Sequence, residues 1–135
     1  MRVQQARGLL DTSVLIASGS GRPLDNAALP DEAFISVITV AELHAGVLAA
    51  PDTPTRSRRL ATLDAAAVWE PLPVDAAAAA QWASLRVRLA EAGRRAKVND
   101  LWIAAIAAAN NLPVVTQDDD FDPIEAVGGP PVIRV

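Results

Sequence analysis

Gly8-Leu9-Leu10-Asp11-Thr12-Ser13-Val14-Leu15-Ile16-Ala17 decides the fold: a short apolar run meets an acid, and an apolar helix-forming stretch follows. A run this short, bounded by a polar residue, reads as the end of a buried strand. Residues 12–17 then begin a helix or turn, and Ser18-Gly19-Ser20-Gly21-Arg22-Pro23 marks a loop. Residues 33–36 read as a second strand. Residues 39–50 follow as a helix, with Val40, Leu43, Val47 and Leu48 close to one-face spacing.

Working outward, Pro51 and Pro54 punctuate the next turn, and residues 55–67 form a helix with its arginines toward water. Residues 68–74 contain Pro71 and Pro73, so a strand there is short or lies at an edge. Asp75 caps a long alanine-rich helix that runs to Ala92 and ends at Gly93. Residues 99–109 are apolar almost all round, which predicts a buried helix capped by Asn110 and Asn111. Residues 113–116 and 132–135 supply the last strands. Strands alternating with helices predict an α/β layer fold with a mostly parallel sheet. In such sheets, ligands gather beyond the carboxyl ends of the strands.

Composition narrows the chemistry. The 135 residues fit one domain, 1–135, and 51% apolar content is enough for a packed core. Without cysteine there is no disulfide, thiolate zinc site or cysteine nucleophile. The single histidine, His44, makes histidine metal clusters and a two-histidine mechanism untenable. Catalysis must rest on carboxylates, hydroxyls or amides. Residues 1–8 are polar, the apolar stretch after them is interrupted by Asp11, and residues 101–109 are about half of the roughly 20 residues that span a bilayer. A cytoplasmic protein is expected.

The net charge of −4 argues at first against a polyanionic substrate. Yet seven acids, Asp11, Glu42, Asp100, Asp118, Asp119, Asp120 and Asp122, fall at four places, and the remainder of the chain carries +3. An acidic pocket holding divalent cations is compatible with phosphate binding, because the ions reverse the local field. Basic residues cluster as Arg56, Arg58 and Arg59, and as Arg86, Arg88, Arg94, Arg95 and Lys97, either as solvated helix faces or as backbone contacts to a nucleic acid.

The four places are comparable. Asp11 and Asp118 follow strand ends, Glu42 lies in the first turn of a helix, and Asp100 opens the buried helix. If they converge on one rim, two carboxylates about 4 Å apart repel by roughly 4 kcal/mol at an effective dielectric near 20. Oxygen-only ligands favour Mg²⁺ or Mn²⁺, which can activate water and neutralise a phosphoryl oxygen. Phosphodiester hydrolysis is the chemistry expected. Each acid also has a structural role open to it: Thr39-Val40-Ala41-Glu42 fits a capping box, Asp100 or Asn99 can be an N-cap, Asp11 can cap the helix after it, and Asp118 to Asp122 can be a solvated turn.

The segments carrying these acids resemble the motifs of PIN-domain ribonucleases. Residues 9–16, Leu-Leu-Asp-Thr-Ser-Val-Leu-Ile, are similar to the opening motif, whose aspartate binds metal. Residues 35–43 are similar to the second motif at Glu42, residues 99–105 to the third at Asp100, and Val115-Thr-Gln-Asp-Asp-Asp-Phe121 to the fourth. The order and spacing, over nearly the whole chain, look most like VapC-type toxins of VapBC toxin–antitoxin pairs. The resemblance implies a PIN-like three-layer sandwich, usually a homodimer. It also implies a metal-dependent endoribonuclease acting on RNA, inhibited by a VapB-type antitoxin whose C-terminal segment fills the active-site groove. The fourth motif often carries Arg where this chain has Gln117.

On this footing Asp11 and Asp100 are the main metal ligands, directly or through water. Glu42 and Asp118 complete the shell and orient the attacking water. Asp120 is the second choice for the fourth ligand, and the run Asp118-Asp119-Asp120 leaves that choice open. Thr116, Ser13 and Thr39 are candidates to hold the carboxylates in place. Trp69, Trp82 and Trp102 are expected in core packing, and His44 partly exposed without a catalytic role. Two other readings compete: a receiver-type domain that accepts a phosphoryl group on an aspartate, and a PIN-fold binding protein without turnover. The first needs a lysine after a late strand; the sole lysine, Lys97, precedes the buried helix.

Overall fold

The structure is a computed structural model that describes residues 6–135. The polar start read at residues 1–8 therefore lies outside the described residues over 1–5. Four strands form one sheet: β1 (Arg7–Leu10), β2 (Glu32–Phe34), β3 (Val114–Thr116) and β4 (Val132–Arg134). Their order is β2-β1-β3-β4, and every pairing is parallel. The sheet expected to be mostly parallel is wholly so. Gly8 is required at its centre: a Cβ there would lie 2.7 Å from Val115 Cγ2.

Among the described residues, six α-helices flank the sheet: α1 (Thr12–Gly19), α2 (Val37–Leu48), α3 (Thr53–Ala66), α4 (Ala76–Glu91), α5 (Val98–Ala109) and α6 (Asp122–Ala126). Strand alternation sorts them into layers, because successive side chains point to opposite faces. Leu9 and Val114 enter one core with Leu85 and Leu89 of α4, Ile103 and Ile106 of α5, and Ile124 of α6. Leu10, Val115 and Ile35 enter the other with Val14 and Leu15 of α1, Leu43 of α2 and Ala66 of α3. This is the α/β layering that the strand–helix alternation predicts, in the three-layer form that the family resemblance implies. Among the described residues no helix is long and apolar enough to cross a membrane.

Several boundaries differ, each for a local reason. The second helix starts at Val37 rather than residue 39, because Ser36 Oγ accepts from the Thr39 N–H and caps it. The segment 68–74 is no strand; Leu72 makes one parallel bridge to Ser36 through Leu72 N–H to Ile35 O and Val37 N–H to Leu72 O. Its prolines lack the donors a longer ladder needs. Asp75 caps α4 as expected, accepting from the Ala78 N–H at 2.9 Å. Helix α6 and a 3₁₀ turn at Asn26–Ala28 were not read from the sequence.

Candidate active site

All four strands point the same way, so their carboxyl ends share one edge. Chain order places β2 on one side of β1 and β3 on the other. This reversal opens a crevice between the ends of β1 and β3, where parallel sheets accept ligands. Asp11 directly follows β1 and Asp118 stands two residues beyond β3.

Asp11 is only 4% exposed. It occupies the N-cap position of α1 yet makes no side-chain cap hydrogen bond, so capping does not account for it. Its Oδ2 accepts from Ser13 Oγ at 2.7 Å and from Thr116 Oγ1 at 3.0 Å. Ser13 Oγ in turn accepts from the Gln117 N–H at 3.1 Å, which locks the start of α1 to the end of β3. Burial pushes the Asp11 carboxyl above its ordinary value and the charge of Asp118 adds to this, while the Ser13 and Thr116 hydroxyls pull it down.

Asp100 faces the same cluster from the first turn of α5. It is not the N-cap, nor is Asn99; that position is Lys97, which makes no side-chain cap hydrogen bond. Asp100 Oδ2 is buried and has no hydrogen-bond partner. Burial raises its pKa to about 7, reinforced by the charges of Asp11, Asp120 and Asp118 and opposed by Lys97. A buried carboxylate oxygen without a donor is costly unless a proton or a cation satisfies it.

Glu42 lies in the second turn of α2, not the first, since the helix begins at Val37. No capping box forms. Thr12 Oγ1 lies 2.7 Å from Glu42 Oε1 and 3.0 Å from the buried Thr39 Oγ1. With one proton to give, Thr12 donates to one at a time, and the charged carboxylate is the stronger acceptor. Glu42 is thus tethered to the residue next to Asp11. Sequence reasoning named Thr39 and missed Thr12, whose only signal is adjacency to the strand-end acid.

The three consecutive aspartates divide by partner. Asp119 is bonded to Arg134 Nη1, and Asp122 takes Arg134 Nη2 at 2.8 and 2.7 Å. Asp120 accepts from Lys97 Nζ at 2.9 Å. Asp118 Oδ1 accepts from the Asp120 N–H at 3.2 Å and lies 3.3 Å from Thr116 Oγ1. Arg134 reaches this turn because β4 pairs with β3, opposite Thr116. Strand order, invisible in the sequence, was needed to see that. Gln117, where the resembled motif often has Arg, donates instead to Pro23 O at 2.9 Å and Val135 O at 3.2 Å.

The oxygen-only donor set and the orphaned Asp100 oxygen fit a hard divalent cation. Among the described residues, no group of three or more acids is gathered closely enough to cage an ion as it stands. Asp100 nonetheless feels the charges of Asp11, Asp120 and Asp118, and Asp11 that of Asp118, while Glu42 is joined to the residue after Asp11 through Thr12.

Farther out, Arg86, Arg94 and Arg95 line a concavity of about 530 Å³ at the α4–α5 connection. Arg88 is instead turned toward the Val127 and Gly128 carbonyls. Trp69 packs against the α1–α3 core as expected. Trp82 and Trp102 are half-buried and stacked on each other, centroids 4.9 Å apart, and only Trp82 touches the other core. His44 is exposed.

A wholly parallel α/β sandwich with Asp11 buried and Asp100 half-buried at its strand-end crevice defines a class of acid-lined α/β domains. The chain belongs to the PIN domain family, whose model matches residues 8–126. It is 55% identical over 135 residues to Ribonuclease VapC5 of Mycobacterium tuberculosis, covering 100% of both chains. It is 40% identical over 115 residues to Ribonuclease VapC4 of the same organism, covering 85% of this chain and 88% of that one. Its structure is similar to that of VapBC-5, a member of the VapBC family of toxin-antitoxin systems from Mycobacterium tuberculosis. That likeness has a TM-score of 0.90 and 54% identity, covering 96% of this chain and 99% of that one. The family sets aside the receiver-type reading, as does Gln117, which stands after β3 where that reading needs a lysine.

Proposed function

We propose that this protein, as one PIN-like domain over residues 1–135, is a divalent-cation-dependent endoribonuclease. In this reading it is the toxin of a type II toxin–antitoxin pair, acts in the cytoplasm as a homodimer, and is held in check by a VapB-type antitoxin. The full-length likeness to Ribonuclease VapC5 supports the activity, and the likeness to VapBC-5 supports the partner. The single observation that carries the chemistry is the buried Asp100 Oδ2, without a hydrogen-bond partner among the described residues, on a carboxyl that burial and the charges of Asp11, Asp120 and Asp118 disfavour as an anion.

Asp11 and Asp100 are the principal residues to hold Mg²⁺ or Mn²⁺, with Glu42 and Asp118 completing the set. Asp118 is preferred over Asp120, because Lys97 already engages Asp120 and Arg134 engages Asp119. When bound, the cation supplies an acidified water and neutralises charge on a phosphoryl oxygen. Ser13 and Thr116 spend their protons on Asp11 and keep its other lone pairs aimed at the crevice. Thr12, backed by Thr39, orients Glu42 as the group that accepts a proton from attacking water. The arginines of the α4–α5 concavity offer charge to the RNA backbone.

Incubation of the purified protein with total RNA tests this. Cleavage is expected with Mg²⁺ or Mn²⁺, is expected to stop with EDTA, and is expected to fall at least about 100-fold in Asp100→Asn. Cleavage at the native rate by a clean, folded Asp100→Asn preparation refutes the assignment.

A further inference from the structure

A second cavity shares Glu42 with the acidic centre. It has a volume of about 370 Å³ between α1, α2 and α3, and it is lined by Ile16, Arg22, Glu42, Leu43, Arg58 and Arg59 among others. Its three arginines come from two distant stretches, the loop after α1 and the middle of α3. Arg59 Nη1 donates to Gly46 O at 2.8 Å, which holds its guanidinium across to α2. Among the described residues Arg22 and Arg58 form no salt bridge. Glu42 is shared: it lines this cavity and is bonded to Thr12, the neighbour of Asp11.

From this arrangement we infer that the cavity is a phosphate subsite for the RNA strand, seating a backbone phosphate next to the one at the acidic centre. The inference rests on the ribonuclease reading above and names where that substrate is held. A chain of net charge −4 repels a polyanion at long range. Binding near a cluster of carboxylates therefore needs concentrated positive charge beside it. Guanidinium groups suit phosphate because their N–H donors pair with two oxygens at once. The apolar floor of Leu43 and the 46%-exposed Ile16 offer a surface for a sugar or base edge. Gly46 forms part of the wall, where an added Cβ would make ordinary van der Waals contact with Arg59 Cδ at 3.8 Å.

The test separates binding from cleavage. In an Asp100→Asn background with Mg²⁺, a short fluorescein-labelled single-stranded RNA is titrated at about 50 to 200 mM KCl. Arg22→Ala with Arg58→Ala is expected to weaken binding about tenfold and to flatten the log–log salt slope by roughly 1. Gly46→Leu, which fills the cavity without removing charge, is expected to weaken binding without that change of slope. Circular dichroism checks that the variants are folded. Inorganic phosphate at matched ionic strength is expected not to displace the RNA. Unchanged affinity and slope in the folded arginine variant overturn the subsite. So does full displacement by inorganic phosphate, which marks a free-anion site, or loss of antitoxin binding alone, which marks a protein interface. Failure of the wild-type protein to cut total RNA refutes the nuclease reading and leaves this binding result separately readable.

Discussion

Asp100 illustrates how a single side chain can be costly to the fold and useful to the chemistry. Its carboxyl holds a proton up to about pH 7 when folded, against 3.8 for the ordinary value. Between those values the folded state binds more protons than the unfolded chain, so the cation-free protein loses stability as pH rises through that window. Asp100→Asn removes the cost. The variant is expected to be more stable than wild type by about 1–2 kcal/mol at pH 8 in EDTA, the half-buried group being partly screened by solvent. The gain should vanish near pH 4. Urea denaturation at both pH values checks this, and a variant less stable at pH 8 contradicts the argument that burial, reinforced by neighbouring charges, makes the ionised carboxyl costly.

At the level of elements, α2 matters most, because it carries both Thr39 and Glu42 to the crevice. Its register is set by Ser36, fully buried, whose Oγ accepts the Thr39 N–H. Ser36→Ala leaves that donor unsatisfied away from water, which costs about 1–2 kcal/mol. The urea midpoint is expected to fall accordingly while the slope of the transition stays unchanged. A variant with native stability would mean that α2 is positioned by its packing alone. The same element shows a limit of pattern reading. Thr39-x-x-Glu42 has the form of a capping box, but Ser36 starts the helix three residues earlier, which frees Glu42 to reach Thr12.

Across the whole molecule, the sandwich holds like charges together, and Lys97, already bonded to Asp120, only partly offsets them at Asp100. A divalent cation that binds only the folded state must therefore stabilise it. At a hundredfold excess over Kd the gain is about 2.7 kcal/mol, read as a rise in Tm. The rise is expected with Mg²⁺ or Mn²⁺ and is expected to be lost in Asp11→Asn with Asp100→Asn. An equal rise in the double variant places the ion elsewhere. The arginine cavity and the acidic crevice share Glu42, so one domain carries both signs of charge beside each other.

Much was legible from residues alone. Apolar runs ending in acids, separated by helical stretches, were enough to predict an α/β layer fold with a mostly parallel sheet and to single out Asp11, Glu42, Asp100 and Asp118, because strand and helix periods are local properties. Ser13, Thr116 and Thr39 were named for the same reason: they flank those acids in the chain. Partnership was another matter. That Arg134 engages Asp119 and Asp122, that Lys97 engages Asp120, and that Arg22 meets Arg58 and Arg59 at one cavity depends on strand order and helix packing. These are contacts between segments far apart in sequence, and only the folded chain brings their charges close enough to act on each other.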